Sequence, residues 1–387
     1  RVRLAEHMIV GAGAVGLKLG PATSDRLELG FLFRDLEVTH AEVQGQVLTG
    51  QSLKLNIGGD GRLLPDPEQI NESRSIGLEI DDLQVPDLST LQRYLPEKWP
   101  IRLYGGQGLL NGTVGLTPTS LAVDLSLRSD SADLGFEAYR FETNLDAALK
   151  LNNPSILTGA TEIAGSFIRL SEARLANQAM ADADRWGASL EIEKGYFSLL
   201  GEEDRQQQDN LFDLIDFLTT HQTRQLLADS TALMGLRAEV SSLAWIAVLL
   251  GKEYDTDVSG SSTIRGDLFL ESGLPAVGTA VDIQSADLAV QFLDYTSRGD
   301  GTIAFRVVEG GDDPDWQIGL ALSDAEMTRR GEFSPFLQDV EMSLRAVVED
   351  MDFQPGPRHY SLECRILSGQ VADMSSFNSL LPPDSPL

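Results

Sequence analysis

The sequence predicts a mainly β protein, an elongated antiparallel sheet built from repeats, with short helices and one amphipathic helical segment. Three observations predict it. A short motif recurs along the chain. Apolar and polar residues alternate with period two through most of its length. One stretch near the middle changes to helical spacing.

The motif organises the rest. Val85-Pro86-Asp87-Leu88-Ser89-Thr90-Leu91 runs on to Tyr94-Leu95-Pro96, and Val371-Ala372-Asp373-Met374-Ser375-Ser376-Phe377 to Leu380-Leu381-Pro382, at a constant offset of 286. A weaker copy places Val240, Leu243, Ile246, Leu249 and Leu250 where Val85, Leu88, Leu91, Tyr94 and Leu95 stand. Gly106, Gly112, Val114 and Leu116 line up in turn with Gly260, Gly266, Leu268 and Leu270. Each unit reads as a short apolar turn of helix, a Pro or Gly stop, a Gly-rich turn and then strands. Asp87 and Asp373 suit helix N-caps, and Pro96 and Pro382 suit stops. A repeat buries its apolar face against its neighbours, so an array of repeats grows into an extended surface.

Strands follow from alternation. Leu121, Val123, Leu125 and Leu127 alternate with Ala122, Asp124, Ser126 and Arg128. Trp316, Ile318, Leu320 and Leu322 alternate with Gln317, Gly319, Ala321 and Ser323. Leu53, Leu55 and Ile57 do the same, as do Leu145 to Leu151 and Leu288, Val290 and Phe292. Strict alternation gives a strand one apolar and one polar face. Gly58-Gly59-Asp60-Gly61, Asn152-Asn153-Pro154 and Gly310 to Pro314 separate the runs as turns. The helical stretch runs from Arg205 to about Leu236, with Leu211, Leu214, Ile215 and Leu218 at i, i+3, i+4 and i+7. It is expected to cap a sheet end or face.

Composition excludes several classes. The 387 residues carry a formal net charge of -29, which argues against a nucleic-acid partner and against charge-driven docking on an anionic membrane. With Cys364 the single cysteine, no internal disulfide forms, and its place among apolar neighbours suits a small core residue. Ile9 to Gly16 spells GxGxxG, but Gly20-Pro21 follows too soon for a helix, and Val15, Leu17 and Leu19 alternate as in a strand. Asp312, Asp313 and Asp315 read as an exposed acidic turn, and His7, His40, His221 and His359 are scattered, so no metal or cofactor is expected. No nucleophile with a partnered base stands out, and the expectation is a protein that is not an enzyme.

The motif, with residues 85–96 and 102–127, 258–292 with Gly299-Asp300-Gly301-Thr302-Ile303, and 371–382, resembles the AsmA-like family of bacterial envelope proteins. These are repeating β-groove lipid-transfer proteins. The middle copy departs from the pattern, with Gly251 where the others have Pro, and the 205–236 segment is not a mark of that family. The resemblance implies a curved sheet forming an open groove, organised as β-groove repeats over 1–204, the helical segment over 205–236, and further repeats over 237–387 truncated at the C-terminus. It implies phospholipid acyl chains as partners, with inner- and outer-membrane components beside them. It also implies a periplasmic, cell-envelope location and a membrane anchor in a segment outside this excerpt. Leu121, Val123, Leu125, Leu127, Val290, Phe292, Ile318, Leu320 and Leu322 are then the expected groove lining. A structural or adhesive surface β-repeat protein, with the same residues sealed in a closed core, is the competing expectation.

Overall fold

The structure, a computed structural model, describes residues 2–4, 7–19, 26–40, 46–60, 75–95, 101–117, 120–136, 139–153, 161–175, 185–198, 231–243, 256–271, 274–292, 294–310, 314–330, 334–348 and 360–371. It is mainly antiparallel β. The chain divides into two compact units. The first holds Arg1–Arg185, Ser189–Met234 and Leu270–Leu274, and the second holds Trp186–Ala188, Gly235–Phe269 and Pro275–Leu387.

In the first unit the strands are β1 (Val2–Leu4), β2 (His7–Leu19), β3 (Arg26–His40), β4 (Gln46–Asp60), β5 (Ser75–Val85), β6 (Ile101–Gly105), β7 (Gly108–Leu116), β8 (Leu121–Phe136), β9 (Tyr139–Asn153), β10 (Thr161–Glu162) and β11 (Phe167–Leu175). They form an antiparallel meander. β1 pairs with β2, and pairing continues through β3, β4, β5, β7, β8, β9 and β11. β6 pairs with the far end of β8. β12 (Trp186–Ser198) and β13 (Thr231–Val240) follow.

Further along the chain come β14 (Thr256–Ser259), β15 (Ser262–Glu271), β16 (Leu274–Pro275), β17 (Ala280–Phe292), β18 (Tyr295–Val308), β19 (Asp315–Arg329), β20 (Leu337–Val348) and β21 (Tyr360–Val371), which belong to the second unit apart from Leu270–Leu274. β14 and β15 both pair with β17, which leads through β18, β19 and β20 to β21.

The repeat is physical. Val85, Val240 and Val371 each end a strand. After Val85 comes a 3-10 helix, Leu88–Tyr94, capped by Asp87, whose Oδ1 accepts the Ser89 N–H at 2.9 Å. Leu88 and Leu243 are both fully buried. The Leu88 N–H donates to the Gly106 carbonyl at 2.8 Å, and the Leu243 N–H to the Gly260 carbonyl at 2.7 Å. Gly106 and Gly260 sit at φ of 104 and 124, where a side chain is disfavoured, so glycine recurs. Pro96, residues 244–255 and the motif after Val371 lie outside the described residues.

One expectation is corrected. The helical period expected over 205–236 does not hold over 231–236, which belong to strand β13. From Ala232 the apolar residues Ala232, Met234, Leu236, Ala238 and Val240 recur every second position, so the period is that of a strand. Residues 205–230 lie outside the described residues.

Most strands carry a bulge where the register slips. Slips occur at Val10/Ala12, Ile80/Leu83, Ser129/Ala132, Ser171/Arg174, Ser285/Leu288, Leu322/Ala325 and Gln338/Glu341. Five acidic residues, Asp35, Asp82, Glu172, Asp324 and Asp339, adopt left-handed φ near these slips. Asp tolerates that region because its short side chain bonds locally, whereas a β-branched residue does not. Asn111 Oδ1 accepts the N–H of Asp82 at 2.7 Å, so the bulged amide is not orphaned. The three buried clusters gather beside the slips: Leu36, Val38, Leu53 and Leu83; Val85, Leu88, Ala132, Leu134 and Leu145; and Val240, Leu243, Val258, Leu288, Leu322, Ala325, Phe336, Leu337 and Val340.

Asp82→Val is expected to lower unfolding free energy by roughly 1–2 kcal/mol, and Asp82→Gly to stay within about 1 kcal/mol of wild type. Denaturant titration of the two variants checks this. At Gly266 an added Cβ would stand 2.2 Å from the Ala280 carbonyl oxygen. Gly266→Ala is therefore expected to cost about 1–3 kcal/mol by forcing β15 from β17, measurable as a lower thermal midpoint.

Candidate apolar binding surface

Register converts alternation along each strand into rows across the sheet. In the first unit Val15, Phe31, Leu55, Leu78, Val114, Val123 and Leu151 are successive cross-strand partners over seven strands. Beside this row runs Leu29, Ile57, Ile76, Leu116 and Leu121, and on its other side Phe33, Leu53, Ile80, Gly112, Leu125 and Leu149. Nearest the slips, Leu83, Leu110, Leu127, Ala147 and Ile168 form a fourth row. At about 4.8 Å per strand, the seven-membered row spans roughly 29 Å.

The second unit repeats this plan. Ile264, Ile283, Ile303, Leu320 and Leu344 are successive partners, and register places Cys364 next. Val281, Phe305, Ile318 and Ala346 form the neighbouring row. Phe305 and Trp316 pack edge to face, with ring centroids 4.9 Å apart.

Positions between these rows are polar on both units. Lys54 pairs with Glu79 at 2.8 Å, Arg128 with Asp146 at 3.3 Å, and Arg306 with Asp282 at 2.6 Å. These exposed pairs add little stability but keep that face in water. Each unit is thus an amphipathic sheet.

Burial grades along the strands. Residues beside the slips are sealed, while most row residues farther out are half-buried. Val15 is 70% exposed, Leu149 45% and Ile318 36%. Of the nine expected lining residues, Leu121, Val123, Leu125, Leu127, Val290 and Leu320 are half-buried. Leu322 differs: at 3% exposed it belongs to the packed cluster with Leu288 and Ala325. Phe292 stands at the end of β17, and its side chain is not among those described. The first four lie on the first unit and the other five on the second.

Two depressions open on the polar face of the second unit. One, about 590 Å³, is bounded by Gln284, Asp300, Thr302, Ala321, Ser323, Glu341 and Ser343 among others. The other, about 460 Å³, shares Thr302, Ala321 and Ser343 and adds Arg306, Gln317, Gly319, Arg345 and Arg365. No local motif in the sequence points to these, because their walls come from separate strands.

Gly11, Gly13 and Gly16 lie inside strand β2, which runs on through Leu19, so no phosphate-binding turn forms there. Among the described residues no cluster of His, Cys, Asp or Glu has metal-holding geometry, and no helix is long and apolar enough to cross a membrane. Asp312 and Asp313 lie outside the described residues.

One carboxylate is tuned. Asp287 Oδ1 accepts the Ser261 N–H at 3.0 Å, the Ser261 hydroxyl at 3.3 Å and the Ser285 hydroxyl at 3.2 Å. The Ser261 amide above all, then the hydroxyls, hold its pKa below the ordinary 3.8 against partial desolvation. A lowered folded-state pKa stabilises at pH above 3.8, and the contribution fades as pH falls through the lower folded value. The stability gap between wild type and Asp287→Asn is therefore expected to be full at neutral pH and to close below 3.8. Urea midpoints across an acid pH series measure it.

Comparison with known proteins gives no match, whether with family models, curated proteins or solved structures.

Proposed function

We propose that this chain is a non-enzymatic lipid carrier of the bacterial cell envelope, which holds phospholipid acyl chains against the apolar faces of its sheets. The supporting observation is the set of continuous half-buried apolar rows, led by Val15 to Leu151 across seven strands. A closed sandwich would bury such rows against a second sheet. Here the three clusters beside the slips are sealed, while most residues of the outer rows keep exposed surface of the kind that marks binding.

The dimensions suit a hydrocarbon tail. A bilayer core of about 30 Å contains two leaflets, so one tail needs about half of the roughly 29 Å row. A tail of a dozen methylenes, half covered, gains roughly 5 kcal/mol at about 0.8 kcal/mol for each fully buried methylene. That attraction has no direction, and equivalent side chains repeat at every strand, so a tail slides without a deep trap. The repeated Val–Leu–Gly unit, seen at Val85, Leu88 and Gly106 and again at Val240, Leu243 and Gly260, supports the likeness to the AsmA-like proteins. With it come the periplasmic location and the inner- and outer-membrane components as further partners.

Organic extraction of the gently purified protein followed by mass spectrometry tests this. Phospholipid at a reproducible ratio is expected. Val123→Asp and Leu320→Arg are expected to lower bound lipid about tenfold, a loss of about 1.4 kcal/mol, with the circular dichroism of the fold retained. Lipid-free protein, or variants that unfold without a folded, lipid-poor state, would favour the sealed-core surface repeat instead.

A further inference from the structure

We infer that the 460 Å³ depression on the polar face of the second unit is a binding site for a phosphate group. Three arginines from three strands surround it: Arg306 on β18, Arg345 on β20 and Arg365 on β21. In a chain of net charge -29 this is an exception. The lining carries these three cations and one carboxylate, Glu363, and Asp282 pairs with Arg306 from outside it, which leaves a net positive charge.

The cationic groups are held in place. Arg306 donates from Nη1 to the Val281 and Phe305 carbonyls at 2.9 and 2.8 Å, and from Nη2 to Asp282 at 2.6 Å. Arg345 Nη2 donates to the Gln317 Oε1 at 3.2 Å, which occupies one of its five donors with a neutral partner. Arg365 is anchored to Glu363 at 2.5 Å. A planar guanidinium with unspent donors matches tetrahedral phosphate oxygens in a bidentate fork.

The floor is low for a sequence reason. Ala304, Gly319, Ala321 and Ser343 occupy the polar-facing positions between the arginines, so no side chain fills the space. A Cβ on Gly319 would meet only the Ala304 Cβ, at an ordinary 3.9 Å. The strand therefore tolerates a side chain there, and the depression is a property of composition rather than of strain. This site lies on the opposite face from the acyl rows and stands independently of the lipid-carrier proposal.

Isothermal titration of the whole chain with short-chain phosphatidic acid below its micelle concentration, and separately with glycerol 3-phosphate, tests the site. Binding of the phosphatidic acid alone identifies a lipid head group as the source; comparable binding of glycerol 3-phosphate identifies a soluble phosphate ester. In either case Arg345→Ala is expected to weaken binding about tenfold, and added salt to weaken it further. Gly319→Leu fills the floor without disturbing the fold, and is expected to abolish binding while leaving thermal stability near wild type. Failure of both ligands to bind, or binding unaltered by both substitutions, overturns the site.

Discussion

Every feature of this molecule depends on the phase of side-chain alternation being held in common by neighbouring strands. A strand presents every second residue to one face, and a slip of one residue turns its whole apolar set into water. Here the phase is shared across strand after strand: Phe31 meets Leu55, Leu55 meets Leu78, and Leu78 meets Val114. Water penalises any register that breaks such a row, so the rows hold the register and the register holds the rows. The amphipathic character of each sheet is a consequence.

The bulges modify this rule without breaking it. Where Asp82 or Asp324 takes a left-handed conformation, the ladder drops a pairing and the apolar phase changes from one parity to the other. On β5 it passes from Ile76, Leu78 and Ile80 to Leu83 and Val85. On β19 it passes from Trp316, Ile318, Leu320 and Leu322 to Ala325 and Met327. Bulges increase local twist and bend a strand. The packed clusters beside them, with Leu88 or Leu243 as a buried plug, give each unit its well-ordered part. The outer rows have fewer neighbours, and local opening there costs less than in the clusters. A surface that must admit and release a ligand is better placed on such rows than in the packed part.

The two faces also separate two kinds of chemistry. The apolar rows offer area without direction, suited to hydrocarbon. The polar face offers fixed charges in register, among them Arg306, Arg345 and Arg365. Because consecutive residues point to opposite faces, Ile318 and Leu320 flank Gly319 in sequence while serving the other side of the sheet. A single strand therefore contributes to both surfaces at no cost to either.

Much of this was legible in the amino-acid order. Period-two alternation located the strands that carry Val123 and Leu320, and the Val–Asp–Leu motif located the capped turn at Asp87, while its weaker copy located the buried Leu243 after the strand that ends at Val240. These are local properties, set by backbone geometry and by water within a few residues. The start of β13 at Thr231 was not legible, because Leu236 fits both a helical and a strand period and only pairing decides between them. Which of the nine apolar positions are sealed was also illegible. Leu320 and Leu322 look alike in sequence, but the slip beside Leu322 packs it under Leu288 and Ala325 while Leu320 stays half-open. The arginine-walled depression likewise exists only once β18, β20 and β21 are in register. The sequence by itself determined where strands run and which side of each is apolar, because alternation acts within a strand. Tertiary structure alone decided which apolar residues are buried and which charges meet, because those depend on neighbours that pairing brings from far along the chain.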